Sequence, residues 1–388
     1  MDSNSIVTVV IGEVHHNTLG VIRSLGEAGI AKNNLFLIMI GKDAEKSDFV
    51  SKSKYVIRKH VYYCENDAGI KNVLFQLNPH NKYVIICCSD GSAEVVIKSE
   101  KELKGNYYIP NIGCDINLFL NKQQQSELAK ENGFSIPESK VIELNKHNYE
   151  WNIFPCITKP LKSVMGARKA DIQIANNRSE LEKILSSTES TAVQIQEYIE
   201  KDFEYQLIGC SLAHGEKVII PGYTIIIRQP KNTNTGYLSY NPINSLNVDL
   251  DKCKRFLQTI KYEGLFSMEF IRGKDGKDYY LETNLRNDGN AYVVKSAGIN
   301  LPFIWAYYKC FEELPKQCVT SFDKKVYFIP DLFDIKPGIK EKGIIGWCKQ
   351  FFASEAHAVY AINDIIPFLY QGKILVKKVM SKKLRIGK

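Results

Sequence analysis

Residues 265–289 read LFSMEFIRGKDGKDYYLETNLRNDG: an apolar run, a turn and a second run rich in aromatic and apolar residues. The pattern predicts a β-hairpin, because Asp275-Gly276 is the dipeptide most suited to a two-residue hairpin loop, whose central positions need positive φ. With those two residues as the loop, Glu269 stands opposite Glu282. Two carboxylates roughly 5 Å apart repel by about 3 kcal/mol at an effective dielectric near 20, so a cation is expected beside them. Strand alternation puts Asn284 and Arg286 on the same face as Glu282. Two carboxylates and an amide oxygen suit Mg²⁺, which takes one or two carboxylates and fills its shell with water and substrate phosphates. The competing reading is a solvent-facing acidic edge paired with surface lysines.

Upstream of the hairpin, FEYQLIGCSLAHGEKVIIPGYTIII (203–227) reads as two antiparallel strands around an HGE turn, followed by a helix at 249–261. Between 150 and 205, IFPCITKP and TAVQIQEYI flank the helix SELEKIL (179–185), which predicts a small sheet-and-helix subdomain. NKQQQSELAKENGFSIP (121–137) reads as a helix capped by Asn121 and ended at Gly133. The first third alternates strand and helix: IVTVVI (6–11), a helical pattern at Leu19, Ile22 and Leu25, then LFLIMI (35–40) and KYVIICC (82–88). That order predicts an open parallel α/β sheet with a boundary near 115. Its first turn, GEVHHNTLG, lacks the GxGxxG spacing of a dinucleotide site. His15 and His16 fall at a strand's carboxyl end, where doubly wound sheets hold ligands, and so does Asp90 in CCSDGS; caps and solvated turns are the plainer roles for all three.

With 388 residues, 44% hydrophobic and 24% charged, the chain has globular composition, which excludes wholesale disorder. No apolar run approaches the ~18–20 residues of a membrane span, and MDSNSIVTVV lacks a secretory signal, so a soluble, cytoplasmic protein is expected. Ten scattered cysteines, with only Cys87-Cys88 adjacent, give no zinc or redox spacing and read as free core thiols. Residues 371–388 hold seven Lys and Arg and no acid, leaving 44 basic against 43 acidic residues elsewhere. A body so nearly neutral is not expected to bind nucleic acid. In QGKILVKKVMSKKLRIGK the apolar residues gather on about half of a helical wheel, which allows peripheral membrane contact through 372–388 or docking on the protein body.

ETNLR, with Glu282 thirteen residues after the Glu269 of MEF, resembles the acidic-x-Asn-x-Arg signature of the ATP-grasp superfamily. The resemblance spans about 120–290 and implies a fold class: α/β, an open parallel α/β N-terminal domain followed by an ATP-grasp fold of two α+β subdomains. The implied domains are 1–115 (Rossmann-like, preceding the grasp), 116–320 (the grasp, its lid at about 150–200) and 321–388 (a C-terminal segment with the basic tail). By the same resemblance Glu269, Glu282 and Asn284 bind Mg²⁺, with Mn²⁺ as a substitute, and Arg286 contacts the transferring phosphate of ATP. Lys122 in NK and Lys159 in TKP become phosphate ligands, Lys159 also catalytic; Glu197 and Ile199 in QEYI read adenine through their backbone, and Glu204 or Asp202 holds the ribose. KPLKSVMGARKAD (159–171) has one glycine, Gly166, where many such enzymes have a Gly- and Ser-rich phosphate flap, so Ser163, Arg168 or Lys169 must add donors. That string is similar to carboxylate–amine ligases of the D-aspartate ligase and carbamoyl phosphate synthetase large-chain type. The implied activity is an ATP-dependent ligase that turns a small carboxylate, such as an amino acid, into an acyl phosphate and joins it to an amine. Arg228, with Asp90 and His15, is the candidate for holding the acid substrate. The alternatives are a carboxyphosphate or carbamate kinase, and a nucleotide-binding module without turnover that acts through its basic tail.

Overall fold

The computed structural model describes residues 5–114, 116, 122–144, 150–160, 173–188, 191–229 and 235–386. These divide into two compact units: 1–125 with 205–269 and 282–388, and 126–204 with 270–281.

The larger unit opens with the expected parallel sheet. Strands β1 (Val7–Glu13), β2 (Leu35–Ile40), β3 (Val61–Cys64), β4 (Tyr83–Cys87) and β5 (Tyr107–Tyr108) stand in the order β3-β2-β1-β4-β5. All six residues of LFLIMI are buried, as a strand covered on both faces requires. Helix α1 (His16–Glu27) follows β1 and α2 (Asp90–Lys98) follows β4, so the strand order reverses between β1 and β4, where those two helices begin. Ser89 caps α2 through a reciprocal capping box with Ser92.

Helix α3 (Lys122–Glu131) leads into the smaller unit. Its four-stranded sheet, from β6 (Ser139–Glu143), β7 (Cys156–Pro160), β8 (Gln173–Ala175) and β9 (Ala192–Glu197), has the order β6-β9-β7-β8, with α4 (Arg178–Ser186) capped by Asn177. Leu181, Leu185, Val193, Ile195, Ile142 and Trp151 form its core. This is the sheet-and-helix subdomain expected at 150–205, with one more strand supplied by 139–143.

A second sheet runs β14-β13-β10-β11-β12-β15-β16, from β10 (Lys201–Leu212), β11 (Lys217–Arg228), β12 (Tyr237–Pro242), β13 (Gly264–Gly273), β14 (Asp278–Asn284), β15 (Val326–Ile329) and β16 (Ala356–His357). The HGE turn behaves as read, with Leu212 paired to Lys217. Helix α5 (Leu250–Thr259), capped by Asp249, and α6 (Leu301–Phe311) cover this part of the chain. Side chains from β1, α1, β10, β12, α6 and β15 share one hydrophobic core in the larger unit. Trp305 of α6, 1% exposed, donates from Nε1 to the carbonyl of Ile85 in β4 at 3.2 Å. Helices α7 (Ile335–Ala353) and α8 (Ile366–Ile386) end the chain, and no helix among the described residues is long and apolar enough to cross a membrane.

Candidate functional site

The hairpin turn departs from its sequence reading. Gly276 N–H donates to Gly273 O and Gly273 N–H to Lys277 O, both at 2.9 Å, so the loop is Lys274-Asp275-Gly276 rather than two residues. Gly276 at φ +80° supplies the left-handed position that closes such a three-residue loop. At the tip Phe270 therefore faces Tyr280, with ring centroids 5.8 Å apart, and Arg272 forms a forked ion pair with Asp278 at 2.6 and 2.9 Å.

Carried to the base of the hairpin, that register would put Glu269 and Glu282 on opposite faces. The structure instead brings them together: Asn284 Nδ2 donates to Glu269 Oε1 and to Glu282 Oε1, each at 3.4 Å. The register thus changes between tip and base. Gln206 of β10 approaches from the neighbouring strand, its Nε2 donating to Glu269 Oε1 at 3.3 Å and to Asp288 Oδ2 at 2.9 Å. Ser267 Oγ adds a bond to Asp288 Oδ2 at 3.1 Å, and Asn290 N–H donates to Asp288 Oδ1 at 2.8 Å.

Strand β14 stops at Asn284, so Arg286 does not extend the Glu282 face as alternation predicted. It lies in the following bend, 16% exposed, donating from Nη1 to Asp288 Oδ2 at 2.9 Å and from Nε to Asp90 Oδ1 at 3.0 Å. Burial works against its charge, yet the two carboxylates outweigh burial and raise its pKa. Asn287 fastens the bend to the parallel sheet: its N–H donates to Cys87 O at 2.9 Å, and its side chain meets Asn17 Oδ1 at 2.5 Å. Asn17 in turn donates to Cys88 O and Asn287 O, both at 2.9 Å. The carboxyl ends of β1 and β4 thereby carry the residues that follow the hairpin.

His15 accepts the Asn17 N–H on Nδ1 at 3.2 Å and caps α1, which fixes the remaining proton of the neutral ring on Nε2. Lost hydration lowers its pKa to about 4, with Asp288 opposing and Arg286 adding to the effect. His16 is buried, and burial, then the neighbouring His15, push its pKa well below the usual histidine value. Its Nε2 stands 3.4 Å from Thr235 Oγ1, and a Cβ built on Gly289 would lie 3.8 Å from the same nitrogen. Asp90, Arg286, Asp288, His15 and His16 therefore belong to one neighbourhood.

Of the other expected residues, Lys159, Glu197, Ile199 and Glu204 belong to the smaller unit. Lys159 of β7 donates to Gln196 Oε1 of β9 at 2.5 Å. Glu197 ends β9 with its N–H bonded to Glu138 O at 2.8 Å. Ile199 follows β9, and Glu204, near the start of β10, accepts from Lys201 Nζ at 2.8 Å. Lys122 opens α3, while Gly166, Ser163, Arg168 and Lys169 lie outside the described residues, as does Asn121. Arg228, expected to offer an open charge to a carboxylate, is already engaged: Nε and Nη2 donate to Asp334 at 3.0 and 2.5 Å, and Nη1 to Glu341 at 3.1 Å. Its guanidinium also stacks 4.9 Å from the Tyr237 ring. Two acids of the chain thus balance the charge of a side chain only 6% exposed.

The hairpin residues fit a divalent cation. The Asn284 amide now turns Nδ2 toward both carboxylates, and a half-turn about its last bond would present Oδ1 to the same point. Among the described residues no three His, Cys, Asp or Glu are grouped to hold a metal, and the hairpin itself offers two carboxylates and an amide. That low count is what Mg²⁺ tolerates when phosphates and water complete its shell. Gln206, Ser267, Asp288 and Asn290 were not singled out in the sequence. Their only signal was polarity inside strands or beside a turn, which the folded chain turns into a buried network.

No family model matches the chain. It is 26% identical over 247 residues to the D-aspartate ligase of Enterococcus faecium, a match covering 57% of this chain and 57% of that protein. The chain thus spans little more than half the length of the curated relative it matches. Among solved structures, it superposes on an L-amino acid ligase from Bacillus licheniformis with a TM-score of 0.54 and 14% identity, covering 78% of this chain and 74% of that one. It superposes with a TM-score of 0.59 and 17% identity on the biotin carboxylase domain of a 2-oxoglutarate carboxylase from Hydrogenobacter thermophilus, covering 82% and 73%; that structure holds MgADP, ADP and bicarbonate.

Proposed function

We propose that this chain, which has the ATP-grasp fold, is an ADP-forming carboxylate–amine ligase. The observation that carries the reading is the convergence of Glu269 and Glu282 on the Asn284 amide at the base of the hairpin.

A carboxylate does not condense with an amine in neutral water because hydroxide is a poor leaving group. In the proposed reaction a carboxylate oxygen attacks the γ-phosphorus of ATP, the bond to the β-phosphate oxygen breaks and ADP departs. The amine nitrogen then attacks the acyl carbon, the carbon–oxygen bond to phosphate breaks, and the nitrogen gives up its proton. Phosphoryl transfer asks for positioning and charge neutralisation more than covalent chemistry. Mg²⁺, when bound by Glu269, Glu282 and Asn284, supplies that neutralisation at the phosphate oxygens. Arg286 is assigned to the transferring phosphoryl group: Asp288 and Asp90 hold its guanidinium, and Asp90, 62% exposed, is the partner an incoming anion can replace. Lys159 and Lys122 are assigned to the nucleotide phosphates, the Glu197 carbonyl and Ile199 N–H to adenine, Glu204 to the ribose and Gly166 to the phosphate flap, all by likeness to the superfamily. The Nε2–H of His15 is assigned to the acid substrate, as a neutral donor beside Arg286.

ADP release measured across amino acids, D-aspartate first, paired with a panel of amines, tests the reading with and without bicarbonate. Release that needs both an acid and an amine supports a ligase. Release driven by bicarbonate alone would move the assignment to carboxyphosphate formation, and no release under any pairing rejects turnover.

A further inference from the structure

The net charge of +8 belongs entirely to one segment. Of 51 basic and 43 acidic residues, 11 and 3 lie at 335–388, leaving 40 of each elsewhere. The three acids there are turned toward the chain itself: Glu341 pairs with Arg228 at 3.1 Å, buried Asp364 with Arg23 at 2.9 Å, and Glu355 accepts the Tyr327 N–H at 2.8 Å. Lys336, Lys340, Lys342, Lys349, Lys373 and Lys377 are exposed.

The same segment displays apolar side chains that a helix packed on a core would bury. Gly343, at φ +70°, breaks α7, and in its second half Trp347 and Phe351 turn inward while Ile344, Ile345 and Phe352 stay 67%, 75% and 77% exposed. These three line one open apolar face with Cys348 and Lys349. The rings of Phe351, Tyr360 and Phe368 follow one another at 5.2 and 5.3 Å, which ties the end of α7 to the start of α8. There Ile362, Ile366 and Leu369 are 83%, 54% and 58% exposed. A second copy seated on this face would set one strongly basic segment against another, since a two-fold interface presents the same patch from both sides. A surface both apolar and anionic matches the chemistry.

We propose that the second half of α7 and the first turns of α8 dock on an anionic lipid bilayer, with Ile344, Ile345 and Phe352 at the acyl boundary and the lysines among the headgroups. The contact thus includes a folded apolar face as well as the basic tail, and it stands whether or not the ligase assignment does. The test is sedimentation of the full chain with vesicles of phosphatidylcholine alone and of phosphatidylcholine with phosphatidylglycerol, alongside an Ile345→Ser/Phe352→Ser variant and a Lys349→Glu variant. Wild type should pellet only with phosphatidylglycerol. The bound-to-free ratio should fall about tenfold on raising salt, and about tenfold in the double variant, whose circular dichroism melt is unchanged because both side chains face water. Lys349→Glu should weaken pelleting in the same direction. Pelleting that ignores phosphatidylglycerol, or that is equal for wild type and the double variant, overturns the proposal. So does light scattering that finds a wild-type dimer split into monomers by the double variant.

Discussion

At the scale of single residues, the carboxylate pair and the buried histidine give the sharpest expectations. Replacing Glu282 by Gln deletes a charge from an already repulsive pair without altering shape. ADP formation should drop about 100-fold or more, as it does when one preorganised electrostatic group is removed, while the ligand-free protein stays as stable as wild type or gains up to ~1 kcal/mol. Full turnover in that variant would show the hairpin face to be ordinary surface. His16 acts through pH. Its pKa is depressed by burial, so between the ordinary value of 6.5 and its folded value the unfolded chain carries the extra proton. Stability should therefore be complete above about pH 6.5 and decline on acidification, with this group adding a slope of at most ~1.4 kcal/mol per pH unit. Denaturant midpoints across pH 4–7 for wild type and His16→Gln check it, and parallel curves would remove His16 from the account.

Arg228 belongs to the scale of elements. It joins the end of β11 to α7 through Asp334, whose side chain is 0% exposed, so removing the guanidinium leaves a buried carboxylate without its partner. Arg228→Met should cost about 3–5 kcal/mol of stability, read as a lowered denaturant midpoint, with little change in the apparent affinity for ATP. A variant of wild-type stability that has lost affinity for the acid substrate would restore Arg228 to the site. The hairpin shows how close two turn chemistries lie. Asp275-Gly276 suits a two-residue loop, but the positive φ of Gly276 serves a three-residue loop equally well, and the choice between them shifts every facing pair by one residue. Local propensity does not separate the two.

For the whole molecule, binding of a nucleotide to the folded state must raise its stability by mass action. Millimolar Mg-ATP at about 100 times Kd should add ~2.7 kcal/mol, visible as a higher Tm than for the ligand-free protein, and EDTA should abolish most of the shift. An unchanged melt, together with no heat of binding, would remove the nucleotide from the account. Much of the architecture was legible in the chain itself, because buried strands such as LFLIMI and the HGE turn are short-range consequences of apolar runs and local hydrogen bonding. The sequence also determined which carboxylates, amide and arginine stand near the hairpin, since their spacing along two strands is a matter of chain geometry. Only the tertiary structure decided that the hairpin register changes before Glu269, that Arg286 leaves the strand for Asp288 and Asp90, and that Arg228 is balanced by Asp334. The last two depend on where a charge finds its counter-charge, and one partner lies 196 residues away for Arg286 and 106 for Arg228, distances that no local pattern encodes.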